Sequence, residues 1–142
     1  MRPEIFGSQD RRLRADVQRL CRLLTEDFEP GADAVNVIFV NDRRIHELNR
    51  RFLKRDHPTN VISFNCDEPR LPGEPRLLGE VYVSRDRARA QAREYGVSYA
   101  SELRRLVLHG LLHLLGLTHR QMEPLYCKYL QRDRGHGAGN IE

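Results

Sequence analysis

Three of the six histidines in the chain, His109, His113 and His119, fall in one short stretch, HGLLHLLGLTH. Four residues of α-helix turn through about 400°, so His109 and His113 project from one helix face. Gly116 stands where such a helix ends and the chain can double back. His119 then comes from the turn and completes a facial set of three imidazoles. Three neutral imidazoles on one ion leave a fourth position open, the pattern of catalytic rather than structural zinc. The bland alternative is a set of hydrogen-bonded core histidines. The intervening residues are mostly leucine, however, and unpartnered imidazoles among them would be costly. Zinc suits the set best. Nickel or another divalent ion fits the same donors, because imidazole is not selective.

The same spacing occurs in zinc proteases of the pattern HExxHxxGxxH. The glutamate that serves there as general base is replaced here by Gly110, which argues against peptide hydrolysis. No nucleophilic Ser or Cys constellation is visible. No phosphate-cradling Walker loop appears either, so neither nucleotide hydrolysis nor a nucleotide cofactor is expected.

The elements that must position these histidines follow from periodicity. Leu13, Val17, Leu20, Leu24 and Phe28 mark a helix over 9–28, with Asp10 or Ser8 as cap and Pro30-Gly31 as stop. AVNVIFV (34–40) reads as a buried strand. Asn41 or Asp42 caps a helix to about Leu53, broken by Asp56-His57-Pro58. NVISF (60–64) is a second strand, and the Pro-rich 66–78 a loop. EVYVS (80–84) is a third strand. A polar helix over 86–95 ends at Gly96. Ser98 opens the apolar histidine helix to Leu115, and a last helix covers about 121–132. The N-terminal EIF is a candidate edge strand. The order implies one α/β (α+β) domain over 1–142, with a small mixed sheet of about four strands and the HxxxH helix in its core. The tail 135–142 is expected to be flexible.

Composition narrows the class. With 142 residues, 39% hydrophobic and 31% charged, the chain suits one globular domain. No run approaches the roughly 20 apolar residues of a membrane span, and the N-terminus lacks a signal-peptide core. A cytoplasmic location is expected, with Cys21, Cys66 and Cys127 as reduced thiols. The net charge is +4 and the pI about 9.2. Only Lys54 and Lys128 are lysines, so the excess is arginine, whose planar fork matches phosphate oxygens. A polyanionic partner such as nucleic acid fits this balance.

Three segments together resemble the YbeY family of metal-dependent endoribonucleases. HGLLHLLGLTH (109–119) matches HGxLHLxGxDH. LNRRFLKRDHPTNVISFN (48–65) is similar to LNxxYRxKDxPTxVLSFP, and LGEVYVS (78–84) to LGDIxIS. The resemblance spans about 35–120 and implies zinc-dependent cleavage of single-stranded RNA in ribosomal RNA maturation, including 16S-type 3′ ends, and in ribosome quality control. RNA and the ribosome or its proteins would be the partners. Five departures stand out. Thr118 replaces an Asp that could support the ligands. Leu53 replaces an Arg thought to act in RNA cleavage. Arg55 stands for a Lys, Glu80 for an Asp, and Asn65 for a Pro.

Under this reading His109, His113 and His119 bind the metal. Arg51, Arg55 and Glu80 are the catalytic candidates. Arg51, Lys54, Arg55, Asn60 and Ser63 are the RNA-binding candidates. The plainer reading of the basic run is a solvated helix face, of Asn60 and Ser63 turn and ladder packing, and of Glu80 an exposed strand carboxylate. His46, His57 and His136 read as surface residues. Two other functions stay open: a non-catalytic ribosome-assembly factor with a structural metal, and a metal-dependent hydrolase of another substrate.

Overall fold

The computed structural model describes residues 1–67 and 71–134. Strand β1 (Arg2–Phe6) leads to helix α1 (Arg11–Phe28), then β2 (Ala34–Val40), α2 (Asp42–Leu53), β3 (Val61–Asn65), β4 (Leu77–Ser84), α3 (Arg85–Tyr95), α4 (Tyr99–Leu114) and α5 (His119–Arg134). The four strands form one mixed sheet in the order β1-β2-β4-β3. β1, β2 and β4 run parallel, and β3 closes the far edge antiparallel to β4. The expected fold class and the N-terminal edge strand are both found. The tail 135–142, with His136, lies outside the described residues. No helix among the described residues is long and apolar enough to cross a membrane.

Polar side chains start the helices where the sequence places them. Asp10 accepts from the backbone N–H of Arg12 at 2.9 Å and of Leu13 at 3.2 Å. Asn41, Ser84 and Ser98 cap α2, α3 and α4 in the same way, satisfying N–H groups that have no partner inside the helix. Several boundaries differ from expectation, and two of them bear on the site. β4 begins at Leu77, inside the segment read as a Pro-rich loop. Leu77 pairs with Ala34 and Gly79 with Asn65, and such long-range pairing leaves no local signal. The last helix starts at His119 rather than about 121.

Strand alternation gives the sheet two unlike faces. Val35, Val37, Phe39, Val81 and Val83 point into the main core, where Leu20, Leu24, Leu106, Leu108, Leu111 and Leu112 meet them. The opposite face carries a smaller cluster of Ile45, Leu48 and Ile62 under α2, flanked by Val40, Phe64 and Tyr82. In the β3–β4 ladder Ser63 pairs with Val81, and Phe64 with Glu80. Ser63 therefore faces α4, while Phe64 and Glu80 face the α2 side.

Gly110 is where α4 meets the sheet most closely. A Cβ there would overlap Val81 Cγ1, lie 3.1 Å from Val81 Cγ2 and 3.2 Å from Ser63 Oγ. Val81 is fully buried and β-branched, so it has little freedom to turn aside. The absence of the protease glutamate thus coincides with tight packing: a side chain at this position would have to displace Val81. Gly110→Ala should lower folding stability by about 1–3 kcal/mol through overpacking, measured by urea denaturation. An unchanged midpoint would contradict the close approach.

Candidate metal centre

His109 and His113 stand one turn apart on α4, with their Nε2 atoms 3.2 Å from each other. Gly116 adopts φ +85°, the left-handed conformation that glycine tolerates without strain. The N–H groups of Gly116 and Leu117 return to the carbonyls of His113 and Leu112 at 3.0 and 3.2 Å. This reversal delivers His119. Thr118 Oγ1 accepts from the Gln121 N–H at 3.2 Å, and Gln121 Oε1 accepts from the Thr118 N–H at 2.8 Å. The pair is a capping box, so Thr118 serves to start α5 directly at His119.

The ligand atoms of the three histidines lie within 4.8 Å of one another. Imidazole nitrogens that share one tetrahedral zinc at about 2.0–2.1 Å stand about 3.3 Å apart, the separation already reached by His109 and His113. Burial, followed by the charges of His113, His119 and Arg105, pushes the His109 pKa down to about 4. Burial and then His119 lower that of His113. Both rings are therefore neutral at pH 7, the state that offers a lone pair. The residues fit one metal ion.

Tyr126 on α5 supplies what sequence reasoning missed. Its hydroxyl is hydrogen-bonded to His109 Nδ1, and the two rings lie nearly parallel at 8°, with centroids 6.1 Å apart. Were Nε2 to hold a metal, Nδ1 would carry the hydrogen and donate it to the tyrosine oxygen. Such a partner fixes the tautomer and orientation of a ligating ring. The available signal was helical spacing, since Tyr126 follows His119 by two helical turns.

A cleft of about 500 Å³ opens beside the histidines, lined also by Leu53, Arg55, Val61, Ser63 and Asn65. Ser63 Oγ donates to the Gly110 carbonyl at 3.0 Å, and Asn65 Nδ2 to that of Leu114 at 3.0 Å. These bonds lock edge strand β3 against α4 and set the width of the cleft. The cleft brings Arg55 and Ser63 to the histidines, and Asn65 joins them without having been singled out. Lys54 is exposed beside Arg55, in the left-handed cap of α2. Asn60 sits in the turn before β3, its Nδ2 3.5 Å from Gln91 Oε1, and does not line the cleft. Arg51 and Glu80 do not join the histidines. They line a separate pocket on the α2 face, because Glu80 alternates with Val81 along β4. His57 is exposed, and His46 is partly exposed and bonds Asp56 at 2.8 Å.

Sheet order, helix placement and histidine set define a single-sheet α+β protein with a candidate metal centre at the sheet edge. The chain belongs to the endoribonuclease YbeY family, whose model matches residues 4–127. It is 39% identical over 115 residues to the endoribonuclease YbeY of Lysinibacillus sphaericus, covering 76% of this chain and 73% of that protein. It is 46% identical over 105 residues to that of Bacillus cereus strain G9842, covering 69% and 67%. The solution structure of TM1509 from Thermotoga maritima superposes with a TM-score of 0.65 at 28% identity, covering 99% of this chain and 97% of that one.

Two outcomes follow from the centre. Tyr126→Phe should weaken metal binding about 10- to 100-fold in a competition titration, with the fold retained; unchanged affinity would remove the tyrosine from the centre. The depressed His109 pKa also makes the unfolded state bind a proton first as pH falls. In chelator, His109 therefore contributes stability that is present above about pH 6.5 and lost towards its own pKa of about 4. Denaturation midpoints of wild type and His109→Gln should converge over that window, and a constant gap would contradict the burial effect.

Proposed function

We propose that the chain is a zinc-dependent endoribonuclease that cleaves single-stranded RNA during ribosomal RNA maturation, including 16S-type 3′ ends, and in ribosome quality control. The observation that carries this reading is the facial triad opening onto a cleft that also holds Arg55. Family membership supports RNA as the substrate, and the arginine excess suits its phosphates. Ribosomal proteins are the expected partners and the cytoplasm the expected location. Nickel or another divalent ion could replace zinc on the same imidazoles.

His109, His113 and His119 would hold the ion, which when bound supplies a Lewis acid for a phosphoryl oxygen and activates water near neutral pH. Arg55 faces the same cleft and neutralises the charge that grows on the phosphate as it is attacked. Lys54 adds positive charge at the rim, where it attracts the RNA backbone. Ser63 and Asn65 each spend a hydrogen on an α4 carbonyl, which leaves their oxygens to accept from ribose or base. Leu53 and Val61 form an apolar wall that limits water beside the reacting phosphate.

Purified tag-free protein should cleave single-stranded RNA, and a chelator or His113→Ala should reduce cleavage to background. Arg55→Ala should slow it by about 10²–10³-fold, with Arg55→Lys recovering part of the loss. Cleavage that survives both chelation and His113→Ala would refute the mechanism.

Leu53 favours one alternative. It lines the cleft at the position where the resemblance places an Arg, as it would in an assembly factor that binds RNA without cutting it. RNA binding with no cleavage under any metal would establish that reading. Hydrolysis of another substrate has less support, since Gly110 leaves no room for the protease base; a peptide-hydrolysis assay tests it.

A further inference from the structure

Across the sheet from the histidines, the α2 face carries an open pocket of about 280 Å³ that the metal centre does not use. Three aromatic rings line it in a chain. Phe52 meets Phe64 edge-on at 5.6 Å, and Phe64 meets Tyr82 edge-on at 6.0 Å. Phe52, at the last turn of α2, is 56% exposed. The Arg51 guanidinium lies 5.4 Å from the Phe52 ring centroid, and Arg51 forms no ion pair among the described residues. Arg44 stands on the rim and pairs with Glu47 at 2.7 Å.

The floor is polar. Glu80 accepts from Asn36 Nδ2 at 3.2 Å and from the Tyr82 hydroxyl at 3.1 Å. Its carboxylate repels a phosphate but retains lone pairs for the amino or imino hydrogens of a base. An exposed ring, a guanidinium beside it and a base-accepting floor are the elements of a stacking platform for single-stranded nucleic acid.

The platform adjoins the metal cleft. β3 is an edge strand, and its residues line both sites: Val61, Ile62, Ser63 and Asn65 the cleft, Phe64 the platform. At the end of α2, Phe52 lines the platform and the adjacent Leu53 the cleft. An RNA strand passing round this sheet edge would reach from one site to the other with no further strand of the sheet to cross.

We propose that Phe52, Phe64, Tyr82, Arg51 and Glu80 form a nucleobase subsite, which holds a base of the RNA strand whose phosphate lies in the metal cleft. This rests on the endoribonuclease reading. It gives Arg51 and Glu80 a role in binding the strand rather than at the reacting phosphate. Phe52 and Arg51 would raise affinity without touching the scissile bond.

The chain contains no tryptophan, so Phe52→Trp introduces a single indole reporter. Zinc-loaded Phe52→Trp should lose fluorescence on titration with a mixed-sequence, 2′-O-methylated single-stranded RNA that resists cleavage. Phe52→Ala should weaken binding of that RNA about 5- to 150-fold, as for the loss of one base stack. On cleavable RNA the same variant should raise KM and leave kcat near wild type. Arg51→Ala should reduce the slope of log affinity against log salt by about 0.7, one phosphate contact on a single strand. Wild-type cleavage with unquenched indole and unchanged affinity of Phe52→Ala would overturn the subsite alone and leave this face to a protein partner. Wild-type protein that neither binds nor cleaves RNA would overturn the endoribonuclease reading and the subsite with it.

Discussion

The seating of α4 on the sheet at Gly110 sets everything around it. With no side chain between helix and Val81, the backbone of α4 comes within hydrogen-bond reach of β3, and Ser63 takes the Gly110 carbonyl at 3.0 Å. The histidines flanking this contact, His109 and His113, are thereby held at the sheet edge rather than in the core. A larger residue at 110 would lift the helix and open the distance across which the cleft operates. Close packing of this kind transmits small changes in volume to the groups resting on it.

The second constraint is electrostatic. Partial burial would be a liability for charged imidazoles, and here it keeps His109 and His113 neutral. His109 shows the strongest effect, with its pKa pushed down to about 4. The Tyr126 contact then selects which ring nitrogen faces its neighbours. α5 thus carries two parts of the centre: His119 at its start, set by the Thr118–Gln121 capping box, and Tyr126 two turns on. The histidine that arrives through a turn is positioned by the helix it begins. The α2 side of the same sheet is built on different terms, with aromatic rings and a hydrogen-bonded carboxylate in place of imidazoles.

Local signals carried much of this into the sequence. The capped, periodic helices α1, α2, α3 and α4 were legible because caps and apolar spacing act within a few residues. The HxxxH spacing placed His109 and His113 on one face, and Gly116 marked the reversal. What escaped depends on pairing between distant segments. β4 extends back to Leu77 because β2 and β3 flank it there, which its Pro-rich approach conceals. The resemblance makes Glu80 and Arg51 catalytic candidates beside the histidines, whereas both lie in the α2-side pocket. Alternation along β4 separates Glu80 from Val81, but which face lies under α4 follows only from the strand order. Asn65 looked like a simple departure from a proline, although its side chain ties β3 to the end of α4. Periodicity starts the last helix near 121, two residues after its actual start at His119, which hides the two-turn alignment of Tyr126 with that histidine.

The central claim is that one ion is held by three imidazoles with a fourth position left open. X-ray absorption at the zinc edge, on tag-free protein loaded with zinc, tests it most directly. The account predicts one zinc per chain, three imidazole nitrogens at about 2.0–2.1 Å and a single further oxygen donor. A sulfur ligand from any of the three cysteines, or fewer than three imidazoles in the outer scattering, would contradict it.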